Sequence, residues 1–478
     1  MNKIFTPSHT FRMKATWFQK DFFPILFLSL VFLISSCKKK DTSSTSTTST
    51  LPTVTTAGLV INLTSTTAQA AGTVTEQGSS TITEAGICYS ITNKTPVITD
   101  TKIVGDVRNP TYPVDFTADL TGLTAGTAYY ARAYATNSSG TAYGSVITFT
   151  TSTGASGFTT TVSTLAGNGT AGSTNGDGTA AMFNNPQGIA VDALGKVYVS
   201  DSFNSRLRTI TATGTTADFA GNGTIGYHDD NNAGDAEFYG PHGLAVDAAG
   251  NTYVADLGNN VIRKITPAGV VSTFAGSGVA GFTNATGTAA TFNNPSGVAV
   301  DAAGNVYVAD YGNNAIRKIT QAGVVTTLAG FKSGGFLNGS GVAAGFKNPN
   351  GVAVDASGNV YVADQANSAI RKITAAGVVT TVAGGPSQTQ LLNFPVALTL
   401  DKDGNIYVAD ETGRIIICTT NNVLYVLAGT AGVNGFTNGD GATATFSNPQ
   451  GIAVDANGNV YVADQDNNAI RKLTVVKK

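Results

Sequence analysis

Over the last two thirds of the chain, apolar residues fall in short runs, each closed by Asp, Gly, Asn or Pro. A representative copy reads FNNPSGVAVDAAGNVYVADYGNNAIRKITQAGVVTTLAG, and its four runs are GVAVD, VYVAD, AIRKI and VVTTLAG. Each run is nearly all apolar and rich in β-branched residues, the pattern of a strand buried on both faces. The DAxGN segment between the first two runs supplies the Asp, Gly and Asn of a tight hairpin turn. The Asp that closes the second run recurs as Asp201, Asp256, Asp310, Asp364, Asp410 and Asp464, spaced 55, 54, 54, 46 and 54 residues apart. A period of this size carrying several short strands marks a repeat architecture. Four antiparallel strands per unit, six times over, predict a six-bladed β-propeller across residues 159–478.

The two ends of this array are complementary. The last unit stops at Ile470-Arg471-Lys472-Leu473, before its fourth strand, while Thr161–Gly167 (TVSTLAG) precedes the first unit as an unclaimed fourth strand. Setting that strand on the last blade closes the ring and removes an exposed edge.

Upstream, residues 52–152 switch to short alternating strands punctuated by Gly, Asn and Ser, among them Ala68–Thr75, Glu84–Ser90, Ala128–Thr136 and Ser145–Thr151. This predicts a small β-sandwich, so the fold class is all-β, a propeller preceded by a sandwich. Residues 38–51, KKKDTSSTSTTSTL, form a polar tether of low complexity. Residues 1–37 have the form of a signal segment: Lys3, Arg12, Lys14 and Lys20 precede an apolar run from Phe22 to Ile34, too short to span a bilayer comfortably. Met13 is an alternative start. The run ends Ile34-Ser35-Ser36-Cys37, which resembles a bacterial lipobox and implies lipidation at Cys37. By that resemblance the protein sits in the bacterial cell envelope, attached to a membrane through its lipid. Lys38 is unlike the acidic inner-membrane retention signal, which favours the outer membrane.

Composition narrows the function classes. Charged residues are 12% and the formal net charge is −2, so nothing points to nucleic acid. Cys88 and Cys418 stand in different domains as isolated apolar residues rather than as a disulfide or metal pair.

Two family resemblances follow from these motifs. The units resemble NHL repeats, whose pattern includes PxGIAVDxxGNVYVADxxNxRI, and all six carry it; the resemblance implies a propeller without fixing an activity. Blade five departs most, with Gly413 in place of Asn, Ile417 in place of Arg, and a loop before it eight residues shorter. Segment 120–144 resembles the closing half of a fibronectin type III domain, with Leu123, Gly126, Thr127 and Tyr129 at the corner and Ala125 where that family has proline.

The six closing Asp residues form a ring of carboxylates that invites a cation. Their presence in every unit instead suits a scaffold role, capping the strand or pairing the Asn and Arg that follow. The informative positions are those that vary. After the Pro that opens each first strand stand Gln187, His242, Ser296, Asn350, Val396 and Gln450, expected to ring the channel mouth. The five polar ones are candidate ligand-binding residues. The loop entering blade two, GYHDDNNAGDAEFYGPHG, adds His228, Asp229 and Asp230, which with His242 are candidate metal ligands for calcium or zinc. The Asn175–Gly178 and Asn438–Gly441 loops (NGDG) lack regular calcium-ligand spacing. Zinc lyases of related shape would need three histidines from separate blades, and only two lie in the array. The expectation is therefore a non-catalytic binding module for protein or glycan on the loop face, with no assigned cofactor. The alternative is a metal-dependent lyase or hydrolase at the channel mouth.

Overall fold

The computed structural model describes residues 49–105, 111–152, 157–386, 392–420 and 423–478. The signal segment, Cys37 and nearly all of the tether lie outside the described residues. Among those described, no α-helix occurs and no helix is long and apolar enough to cross a membrane.

Nine strands build the N-terminal unit: β1 (Thr53–Thr56), β2 (Val60–Ile61), β3 (Ala68–Glu76), β4 (Glu84–Ser90), β5 (Thr101–Val104), β6 (Val114–Leu120), β7 (Ala128–Asn137), β8 (Gly140–Tyr143) and β9 (Ile147–Thr150). In one sheet β3 pairs with β1, β2 and β6; in the other β4 pairs with β5 and β7, and β7 with β8 and β9. Their inner faces bury Val54, Val74, Ile87, Phe116, Tyr129 and Phe149 in one core. This is the expected sandwich. At one corner Leu123 is buried, and the Thr124 N–H donates to the Tyr129 hydroxyl at 2.9 Å.

The six repeat units fold as six four-stranded antiparallel blades. Blade three is representative, with strands Pro295–Val300, Val306–Asp310, Ala315–Ile319 and Val325–Gly330 paired in chain order. Strand β10 (Phe158–Ala166) lies antiparallel on the last strand of the chain, Ala469–Lys477, with Val162 opposite Leu473. The sixth blade is thus built from both ends of the array, as the complementary termini predict.

The first strands surround the central channel, and glycine lets neighbouring blades meet there. A Cβ on Gly297 would come within 2.3 Å of the Asn350 carbonyl oxygen, and one on Gly451 within 2.2 Å of that of Gln187. No side chain fits between these backbones, which accounts for the Gly that follows each variable position in five of the six blades.

The sandwich docks on blade five. β2 runs parallel to that blade's fourth strand, Val423–Ala428, pairing Val60 with Val423 and Ile61 with Leu424. The Asn62 N–H donates to the Leu424 carbonyl, and the Tyr425 hydroxyl to that of Leu63, both at 2.9 Å. Ala57, Leu59 and Ile61 share a core with Leu398, Ile416 and Leu424. The outer edge of this blade is therefore an interior surface. That is why its fourth strand reads VLYVLA where blade three, for example, reads VVTTLA.

Candidate functional site

Within each blade the second strand ends where the first begins, as the pairing of Pro295 with Asp310 shows. The closing Asp residues, the first-strand starts and the interblade loops therefore share one face, the loop face. All six Asp side chains are buried, and none faces a common cavity. In blade three, Asp310 Oδ1 accepts the Asn293 N–H at 2.8 Å, while Oδ2 accepts the Asn313 amide at 2.8 Å and the Arg317 guanidinium at 2.6 Å. Arg317 also donates to the carbonyls of Thr291 and Thr283 and to Asn284 Oδ1, and lies between the rings of Phe282 and Phe292. The same set recurs around Arg208, Arg371 and Arg471. Burial pushes the Asp310 and Asp364 carboxyls up, and their backbone, Asn and Arg donors oppose it. The carboxylate ring is a set of separate scaffold networks rather than a cation site.

Blade five keeps the carboxylate but moves its counter-charge. Ile417 occupies the arginine place, and Arg414, three residues earlier, bonds Asp410 Oδ2 instead. The pair stays neutral while the strand becomes apolar enough to serve the sandwich interface.

The loop entering blade two proves to be a variant of the repeat. Asp229 stands where the other loops have Asn175, Asn284, Asn338 and Asn438, and Asp229 Oδ1 takes Nε and Nη2 of Arg263 at 3.0 and 2.7 Å. Oδ2 accepts the Thr273 N–H. His228 Nε2 lies 3.2 Å from Asp230 Oδ2 at an exposed position, and the Asn232 N–H, with His228, holds the Asp230 carboxyl below its ordinary range. Asp230 bridges to Val271 on the blade's outermost strand, whereas His242 sits on its innermost. Neighbouring strands are spaced by about 4.8 Å, so four such spacings, about 19 Å, separate the segment bridged at Asp230 from the strand that carries His242. The grouping of His228, Asp229, Asp230 and His242 as one metal set is thus corrected. Among the described residues no three His, Cys, Asp or Glu side chains converge as metal ligands. The NGDG asparagines, Asn175 and Asn438, are likewise taken by Arg208 and Arg471.

The channel has a volume of about 250 Å³ and is walled largely by Val, Ala, Ile and Leu of the first strands. Of the residues expected at its mouth, His242, Asn350 and Gln450 line it, with Val396 from blade five. Gln187 and Ser296 do not line it; the buried Ser296 hydroxyl donates to the Asn350 carbonyl of the next blade at 2.9 Å. The amides of Gln187 and Gln450 donate to Asn185 and Asn448 at 2.8 and 2.6 Å.

His242 is enclosed by neighbouring blades although part of its ring reaches the channel. Burial pushes its pKa down to about 4, and the Ser296 backbone opposes this. The folded state therefore holds the imidazole neutral. Its contribution to stability is complete above the ordinary histidine pKa of about 6.5 and is lost as pH falls from there toward 4. His242→Gln, matching Gln187 and Gln450, should remove this dependence. The stability difference between wild type and variant should shift against the wild type by at most about 3 kcal/mol from pH 7 to pH 4, less where channel water reaches the ring. Urea unfolding at both pH values measures it, and a pH-independent difference would refute the assignment.

One feature of the loop face was not legible as chemistry. Just before the Pro of each first strand the chain adopts a left-handed φ, at Asn185, Asn294, Asn348, Asn448 and Gly240, residues that tolerate it. Blade five has Phe394 there, at φ +58° and 45% exposed. Phe203, Ile225, Tyr239, Val279 and Val433 are also exposed on loops of this face.

Known proteins place these features. The NHL repeat family description matches residues 183–209, 292–319, 346–373 and 446–473, which are blades one, three, four and six. The propeller therefore carries NHL repeats in these four blades. The chain is 29% identical over 315 residues, 62% of its length, to the Protein SUPPRESSOR OF QUENCHING 1, chloroplastic, of Arabidopsis thaliana, and spans only 26% of that protein. A protein of unknown function from Bacteroides thetaiotaomicron shares the fold at 18% identity and a TM-score of 0.52, over 89% of this chain and 98% of its own. An auxiliary nutrient binding protein from the same organism does so at 13% identity and a TM-score of 0.50, over 87% and 98%. Both shares exceed the propeller alone, so the likeness extends to the domain before it.

Proposed function

We propose that this NHL-repeat β-propeller is the binding head of a lipid-anchored protein of the bacterial cell envelope, engaging a protein or glycan on its loop face without catalysis. The observation that carries this is Phe394. A bulky side chain in the left-handed region costs about 1–2 kcal/mol, and four of the other five blades avoid the cost with Asn. The strained ring is exposed rather than packed, so the fold itself gains little from it. Its place beside the channel mouth, with Tyr239 and Phe203 on the same face, suits an aromatic contact with a ligand. The fold is shared with a protein described as an auxiliary nutrient binding protein, which agrees with a binding role.

In this proposal residues 1–37 are the signal segment, Cys37 carries the lipid, and residues 38–51 tether a fibronectin type III-like sandwich at 52–152 to an outer-membrane surface. The Tyr129 corner supports the family likeness of the sandwich. His242, Asn350 and Gln450 supply polar groups at the mouth.

The test is a protein and glycan array probed with the chain from Pro52 onward, alongside Phe394→Asn. Asn should raise stability by about 1 kcal/mol while weakening capture at least tenfold. Undiminished capture by the variant would reject the loop face. Separately, Cys37→Ala should release the full chain from membranes, and retention would reject the anchor.

A further inference from the structure

The docking of the sandwich on blade five leaves a cleft of about 1700 Å³ between the two domains. It lies at the end of the blades opposite the loop face, because its propeller wall is made of turns joining first to second strands, Asp401–Asn405 in blade five and Asp455–Gly458 in blade six. The facing wall is the outer side of β7 and β9, where Tyr130 pairs with Thr148. Phe158 and Tyr425 form an aromatic corner between them, ring centroids 5.2 Å apart and edge to face.

Three properties of the lining select a ligand. The first is charge. Asp401, Asp403 and Asp455 are matched in number by Lys402, Lys477 and Lys478. Lys402 bonds Asp403 at 2.9 Å, and the Asp401 and Asp455 carboxylates are occupied by N–H groups of their own turns. A cleft whose side-chain charges balance in number exerts no net pull toward an anion or a cation. The second is hydrogen bonding: Ser145, Thr148, Thr150, Thr420 and Asn457 expose groups that both donate and accept. The third is aromatic surface, since the half-buried rings of Tyr130, Phe158 and Tyr425 offer apolar faces among these polar groups. A chain of sugar rings presents this combination, hydroxyls at its edges and C–H faces between them. The volume exceeds that of ordinary small-ligand pockets, about 300–1000 Å³, and accommodates several residues of such a chain.

We propose that the cleft between sandwich and propeller is a binding site for a neutral oligosaccharide, with Tyr130 as its stacking platform. It is separate from whatever the loop face engages. Isothermal titration of the protein with maltoheptaose, cellohexaose, xylohexaose and mannohexaose tests it. At least one should bind with a Kd between micromolar and millimolar. Tyr130→Ala and, independently, Thr148→Arg should each weaken that binding at least tenfold with the melting temperature kept within a few degrees. Phe394→Asn should leave it unchanged, so a failure of the loop-face proposal is read apart from this one. Failure of all four sugars to bind at 10 mM, binding that survives both cleft variants, or binding abolished by Phe394→Asn instead would overturn it. So would occupancy of the β9 edge by an extended peptide to the exclusion of sugar.

Discussion

Replacing Asp310 by alanine is expected to destabilise the protein by about 3–5 kcal/mol, although the side chain is wholly buried and lines no cavity. The substitution removes the one carboxylate facing the Arg317 guanidinium, which is wholly buried and held in place by two carbonyls, Asn284 and two aromatic rings. A charge left there without its counter-ion is costly, and the Asn293 N–H and Asn313 amide lose their acceptor as well. Most of the loss should therefore come from the stranded cation, and the double variant settles that. Asp310→Ala with Arg317→Met should be less destabilised than Asp310→Ala alone, a strongly non-additive pair in urea unfolding. A single-variant loss below about 1 kcal/mol, or simple additivity, would refute the account. Blade five shows the same rule in the native chain: where Ile417 displaces the arginine, Arg414 takes over the neutralisation of Asp410.

That network also marks how far the sequence could be read. A residue repeated in every unit beside a following Asn and Arg points to a shared structural need, and the Asp–Asn–Arg bonding bears this out. Strand count, turn placement and ring closure were readable because each depends on local pattern or on two ends that fit. Other features depend on long-range geometry. Asp229 looked exceptional beside His228, but one extra residue in its loop hid its alignment with Asn175 and its role toward Arg263. His228 and His242 are near neighbours in sequence, yet the chain crosses from the outermost to the innermost strand between them. Ser296 was grouped with the other mouth residues by position, but its short side chain reaches the next blade's backbone instead of the channel. The apolar drift of blade five was visible without its cause, since nothing local to Val423–Ala428 says that β2 lies against it. The cleft that results from that docking has no signature in either domain alone.

Val162→Asp is expected to be comparably damaging, and it tests the closure rather than a single blade. Val162 is 2% exposed at the centre of β10, opposite Leu473, in a core shared with Ile415, Leu427 and Phe446 of blades five and six. A carboxylate there has no cation within its packed surroundings, and its burial without a partner costs several kcal/mol unless the strand peels away. Peeling is the cheaper outcome, and it exposes the Ala469–Lys477 edge while opening the ring between blades five and six. The variant should therefore lose both stability and protease resistance, with cleavage beginning near β10 and the C-terminal strand rather than in the interblade loops. Val476→Asp, on the same two-strand ladder but 57% exposed, should change stability by less than about 0.5 kcal/mol. If both substitutions were equally mild, β10 would be an ornament on a blade that stands without it. If Val162→Asp alone unfolds the propeller, the strand contributed from before the first repeat is what joins the six units into one cooperative ring.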